Sequence, residues 1–205
     1  MKFKKTVLII FMFVLALSIH TSAATKEEKA VKKVATSYFK AVKKYNATSI
    51  SKTMVPKSQR KSFAFYTDSV FGKVIKEMHR QTFKYKITSV KVSGKTAKVK
   101  ADITYYNGYQ VIVDGFKNAY YNTINNAILY GTELSQEEFN ELVFTTIDNT
   151  FFYSDWEDYT NDISTTLKFK KYKGKWKIST VTSTMNKYIN CNAIKAIDYL
   201  DSIYG

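Results

Sequence analysis

Helical periodicity opens the chain. Val31, Val34, Tyr38, Val42 and Tyr45 recur three or four residues apart with lysines on the other faces, which predicts a helix over residues 26–45 with one buried stripe. Thr25-Lys26-Glu27-Glu28 carries a capping-box pattern at its start, where hydroxyl and carboxylate satisfy free backbone donors. Asn46, which tolerates left-handed backbone, is the expected stop. A short helical turn from Ile50 to Val55 closes at Pro56. Another helix is expected from Asp68 to His79, or from as early as Ser58, with Val70, Phe71, Val74, Ile75 and Met78 on its stripe.

At Thr82 the period drops to two. Phe83, Tyr85 and Ile87 alternate with Lys84, Lys86 and Thr88, and the phase then slips to Val90 and Val92. Such a slip sends core residues to the wrong face unless a bulge absorbs it. Ser93-Gly94-Lys95 reads as a hairpin turn, and the return strand carries Ala97, Val99, Ala101, Ile103 and Tyr105 inward. From Gly108 the pattern is helical again. One helix presents Phe116, Tyr120, Ile124, Ala127 and Ile128, and a second, from Thr132, presents Phe139, Leu142, Val143, Thr146 and Ile147. A second hairpin follows through Ile163, Thr165, Leu167 and Phe169, a turn at Tyr172-Lys173-Gly174, and Trp176 and Ile178. Val181 repeats the phase slip, and one last helix carries Ile189, Ala193, Ala196, Ile197, Leu200 and Ile203. Helices, hairpin, helices, hairpin and helix in that order predict an α+β domain, with an antiparallel sheet that its bulges curve into a trough.

Composition adds a location. Lys2, Lys4 and Lys5 precede an unbroken apolar run from Val7 to Leu17, and Ser22-Ala23-Ala24 supplies a small-residue exit. That is the pattern of a signal peptide over residues 1–24, cleaved after Ala24. An uncleaved anchor is the alternative, although the run is shorter than the ~18–20 residues that span hydrocarbon. Secretion, or loose association with the cell envelope, is therefore expected, from a low-GC bacterium by the bias of lysine over just two arginines. In such a source the glycosylation match at Asn46-Ala47-Thr48 is accidental. Residues 25–205 then form one domain, with 108–162 as a helical insertion. After removal of residues 1–24 the chain keeps 29 basic and 17 acidic residues, a net charge of +12. Residues 108–162 hold ten acids and one base, a balance of −9 that leaves +21 elsewhere.

The Tyr38-Phe39-x-Ala41 helix, Pro56 after a short helix, the stretch from Val90 to Ile103 and the hairpin from Tyr172 to Ile178 resemble the nuclear transport factor 2-like (cystatin-like) superfamily. More narrowly, the chain resembles uncharacterised secreted and lipoprotein-type domains of low-GC bacteria. The resemblance covers most of residues 25–183 and implies a cone-like curved antiparallel sheet packed by N-terminal helices, with an acidic helical pair inserted and a C-terminal helix. The chain departs from such proteins in lacking a lipidation cysteine and in its long middle helical segment, which leaves the sheet order open.

Enzymes of that superfamily carry an acid or base inside the cone. Asp102 alternates with Ala101 and Ile103 and so faces outward, away from the burial and neighbours that a catalytic base needs. His79 at a helix end reads as a surface or cap residue, and Cys191 as a buried inert thiol. The cluster from Ser154 to Asp162 lacks the spacing of a calcium loop and reads as solvated, with weak calcium binding as the alternative. No catalytic residue, metal site or cofactor is expected. Tyr105, Tyr109 and Tyr120 lie in an aromatic run that fills the core or lines a pocket. Lys98, Lys100, Lys168, Lys170, Lys175 and Lys177 pave outer strand positions. They either deter edge aggregation or attract anionic wall polymers or a membrane surface; nucleic acid is not the expected target of an exported chain. The leading expectation is a non-catalytic binding domain. A small-molecule-binding or enzymatic cone with an aromatic pocket is the alternative, and an immunity-like protein a third.

Overall fold

The computed structural model describes residues 24–56, 70–131, 133–153 and 156–204. Residues 1–23 of the signal segment, the possible start at Ser58, and Ser154 and Asp155 at the head of the acidic cluster fall outside them. Seven helices are present among the described residues: α1 (Lys26–Lys43), α2 (Ala47–Lys52), α3 (Val70–Thr82), α4 (Tyr109–Tyr130), α5 (Gln136–Tyr153), α6 (Ser183–Ile189) and α7 (Ala193–Tyr204). They accompany one antiparallel sheet of β1 (Lys84–Ser93), β2 (Thr96–Tyr106), β3 (Thr160–Tyr172) and β4 (Lys175–Ile178), in that order. None of these helices is long and apolar enough to cross a membrane.

The sheet is a meander interrupted by α4 and α5. β2 and β3 pair without a break from Thr96–Lys170 to Tyr106–Thr160, so the two hairpins merge edge to edge. Val99 faces Leu167 across that seam and both are fully buried. The expected bulge appears where the β1–β2 register shifts between Ile87 and Ser89. The second slip makes no bulge, because β4 ends at Ile178 and Val181 lies beyond the sheet. Thr53–Val55 run alongside β4: the Ile178 amide donates to the Thr53 carbonyl and the Val55 amide to the Ile178 carbonyl.

α1 begins with the expected box. The Glu28 amide donates to Thr25 Oγ1 at 3.1 Å and the Thr25 amide to Glu28 Oε2 at 2.8 Å. Its stripe buries Val31, Ala35, Tyr38, Phe39 and Val42 against the inner sheet face. The left-handed residue at its end is Tyr45 (φ +48°), not Asn46. Asn46 instead caps α2, its Oδ1 accepting from the Ser49 amide at 2.8 Å.

Three other boundaries differ from expectation. α5 starts later than Thr132, capped by Ser135 and Glu138. The single terminal helix is two, because Cys191 and Asn192 both take positive φ and reverse the chain. The predicted stripe of α4 is not the buried one: Phe116, Tyr120 and Ala127 are half-buried and Ile124 is exposed. Val111, Ile112, Val113, Gly115 and Ala119 are enclosed, whereas Ile128 is 75% exposed. The first turns of α4 meet the core, and its distal half carries its apolar residues past it.

Candidate functional site

α1 and α3 pack on the sheet, whose inner residues join the core, and among the described residues the side chains of the opposite face from Lys98 to Thr104 and from Asp162 to Lys170 are exposed or half-buried. Alternation sends Val99, Ala101, Ile103, Leu167 and Phe169 into the core and their polar neighbours to solvent. Read across the strands, the open face has a simple order. Lys91, Lys98 and Lys168 stand directly opposite one another on three strands. One row further, Thr96, Lys170 and Lys177 align, and on the other side lies Ser89–Lys100–Thr166. Lys98, Lys100, Lys168 and Lys170 are exposed and Lys177 is half-buried, its ammonium donating to the Lys52 carbonyl. Lys175 is exposed at the start of β4.

The two carboxylates of this face sit at its far end, and both are engaged. Asp102 accepts from Ser164 Oγ at 2.7 Å and Asp162 from Thr104 Oγ1 at 2.5 Å. The lysine end is thus unopposed across the ladder. Between the strands it holds a shallow depression of about 540 Å³, lined by Lys91, Lys98, Lys168 and Lys170 among others. Like charges directly opposite destabilise a sheet, by a few tenths to about 1 kcal/mol per pair. Protection of a sheet edge does not account for Lys98 and Lys100, because β2 is a central strand paired on both sides. Lys91 was missed as a member of this row; only the bulge, which brings it opposite Lys98, reveals it.

The three tyrosines separate. Tyr105 is buried in the core. Tyr109 is half-buried, with Tyr199 6.0 Å away centre to centre and the Lys195 ammonium 4.8 Å above its ring. Tyr120 packs on Phe116 and Tyr204. Asp102 is exposed, as its phase requires.

His79 is not a surface residue. It is fully buried, with Tyr45 stacked on one side and Phe83 edge-on. Its Nε2 lies 2.7 Å from the Ile189 carbonyl, which makes Nε2 the protonated nitrogen, and Nδ1 has no partner among the described residues. Burial lowers its pKa to about 4, against the opposing effect of the Ile189 bond. Cys191 Sγ lies 3.8 Å from the same Nε2. This pair is not a nucleophile and its base: the nitrogen facing the thiol already donates to a carbonyl, and burial pushes the thiol pKa up, so no thiolate forms. The imidazole instead anchors the left-handed link between α6 and α7. The Gly108 amide joins it by donating to the Cys191 carbonyl, and Asn192 Nδ2 by donating to Asn107 Oδ1. The helix-end position of His79 suggested exposure, and only the packing of α6 over it decides otherwise.

Tyr38 and Tyr188 share a buried hydroxyl–hydroxyl hydrogen bond at 2.7 Å, and burial raises both pKa values. Tyr38→Phe or Tyr188→Phe alone is expected to cost about 1–3 kcal/mol by stranding the other hydroxyl, with the double variant close to wild type. A double-mutant cycle in urea measures this; additive losses would refute the pairing. Among the described residues no group of three or more His, Cys, Asp or Glu side chains could hold a metal ion.

Comparison with known protein families, with curated proteins and with solved structures matched nothing to this chain.

Proposed function

We propose that this chain is an exported, non-catalytic binding domain whose lysine-paved sheet face holds an anionic polymer of the cell envelope. The observation that carries this reading is the Lys91–Lys98–Lys168 row, in which three like charges face each other on adjacent strands with no carboxylate between them. Such a row costs stability in the free protein, and a polyanion laid across it turns the repulsion into attraction. The export pattern of residues 1–24 brings the face to the compartment where wall polymers and lipid headgroups carry the negative charge. The bulge at Ile87–Ser89 supports a sheet curved in the manner of the nuclear transport factor 2-like cone. The acidic α4–α5 pair, with Ile128, Leu129 and Tyr130 exposed on it, offers a second contact surface.

Cosedimentation with purified bacterial cell walls tests the reading. The chain is expected in the pellet at low salt and in the supernatant near 1 M salt, where the Debye length falls to about 3 Å. The variant Lys98→Gln/Lys168→Gln/Lys170→Gln is expected to bind roughly tenfold to a hundredfold more weakly, at up to about 1 kcal/mol per lysine lost. Its urea midpoint should hold or rise, since like charges have been removed. No pelleting of the wild type at low salt would end the proposal.

A further inference from the structure

A second basic surface lies around the corner of the sheet from the first. Along one wall of a groove run Ala30, Lys33, Val34, Ser37, Lys40, Ala41 and Lys44 of α1 and its cap; Lys52, Lys175, Trp176 and Lys177 stand opposite. The groove holds about 910 Å³, and among the described residues six lysines and no carboxylate line it. Glu27, which reaches the groove residue Trp176, is already spent. It accepts from Lys171 Nζ at 2.8 Å and from Trp176 Nε1 at 2.6 Å, which also fixes the indole in place.

The lysine spacing tells what kind of anion fits. Lys33, Lys40 and Lys44 recur at seven and four residues and so share one helix face, spread over about 16 Å at 1.5 Å per residue. Charges strung along a trough follow a linear polyanion; a single small anion needs donors that converge on a point. Among the described residues no arginine lines the groove, so the recognition they offer is by point charge and not by the planar fork that grips one carboxylate or phosphate bidentately. Ala30, Val34 and Ala41 offer an apolar floor for the carbon linkages between charged groups. Lys177 belongs to this groove and, opposite Lys170, to the open face of the sheet. A flexible chain can therefore pass from one surface to the other around β4.

We propose that the α1–β4 groove is a second binding channel for a linear phosphate-bearing polymer, and that the groove and the open sheet face engage one polymer chain together. The inference rests on the reading of the sheet face as polymer-binding for its choice of ligand class. Two linked contacts raise affinity through effective concentration without new chemistry, so the gain should appear only with polymers long enough to reach both.

The test uses the whole mature chain and inorganic polyphosphate of short and long chain length, with poly-glutamate as a second probe. Lys33→Gln/Lys40→Gln/Lys44→Gln changes exposed helix positions to a residue of similar helix propensity, and circular dichroism checks that folding is intact. This variant is expected to lose about tenfold or more in affinity for long polyphosphate and to bind long and short chains alike. Wild-type affinity for long polyphosphate in the groove variant, with binding lost in the sheet variant, overturns the groove and leaves the sheet reading in place. The reverse pattern overturns the sheet face and keeps the groove as a site. Poly-glutamate binding as tightly as polyphosphate overturns the assignment to a phosphate polymer in favour of an acidic protein partner.

Discussion

Gly115→Val is expected to lower stability by about 3 kcal/mol and the urea midpoint by more than about 1 M, with the slope of the transition unchanged. Gly115 lies where α4 crosses α5, and a Cβ there would stand 2.5 Å from Ile147 Cγ1 and 3.2 Å from the Ile147 Cα and amide nitrogen. The side-chain contact could be relieved by a rotamer change, but the backbone contacts cannot. The helices must part, and Val143, Ile147 and Phe151 lose the packing that buries them. Alanine is a weaker probe, because its helix propensity returns about 1 kcal/mol over glycine. Valine adds branched bulk with much less of that return. Gly131→Ala is the control: it has no atom within 4 Å but sits at φ +65°, so it should cost only the left-handed strain of about 1 kcal/mol. An unchanged midpoint for Gly115→Val would mean that α4 and α5 do not meet at this residue.

Acid should weaken the fold through one side chain. His79 is neutral and buried, with its pKa near 4, against about 6.5 in an unfolded chain. Above pH 6.5 both states are neutral and the residue contributes no pH dependence. As the pH falls toward 4, the unfolded state takes up a proton that the folded state refuses. Stability is lost over that window, by about 2 kcal/mol at pH 5 and about 3 kcal/mol in full, and levels off below it. Other groups titrate nearby: burial raises the carboxyl of Asp148, which works in the opposite direction, and bonds from Arg80 lower that of Glu77. The comparison is therefore with His79→Gln, whose amide can still donate toward the Ile189 carbonyl. Urea unfolding at pH 7 and pH 5 should show the wild type losing about 2 kcal/mol more than the variant between the two. Equal losses would place the imidazole in contact with water.

Both effects arise in packing that periodicity does not encode. The stripe of α1 and the alternation of β2 were readable because a helix or strand with one wet face must repeat its apolar residues at its own period. The same alternation put Asp102 and the lysines outside. Cys191 was readable as a buried thiol from its place beside the last apolar stripe. Which face of α4 is buried was not readable, since an apolar stripe looks the same whether a neighbour covers it or solvent does. His79 was misjudged for a related reason: a polar residue at a helix end is exposed unless a distant segment, here Ile189 and Cys191 more than a hundred residues away, closes over it. The break at Asn190–Asn192 follows from backbone hydrogen bonds to Asn186, Lys187 and Gly108, which local pattern alone does not forecast.

Strand-by-strand alternation determined which lysines point to water, and the charge imbalance between the helical insertion and the rest was present in the amino acids themselves. Only the tertiary structure decided that β2 and β3 are neighbours. That pairing sets Lys98 against Lys168, residues seventy apart in sequence. It also placed the α1 lysines across a groove from β4. Local spacing fixes the face a side chain takes, because backbone geometry repeats within a few residues. Which faces meet depends on how distant apolar stripes pack, and no local repeat records that choice.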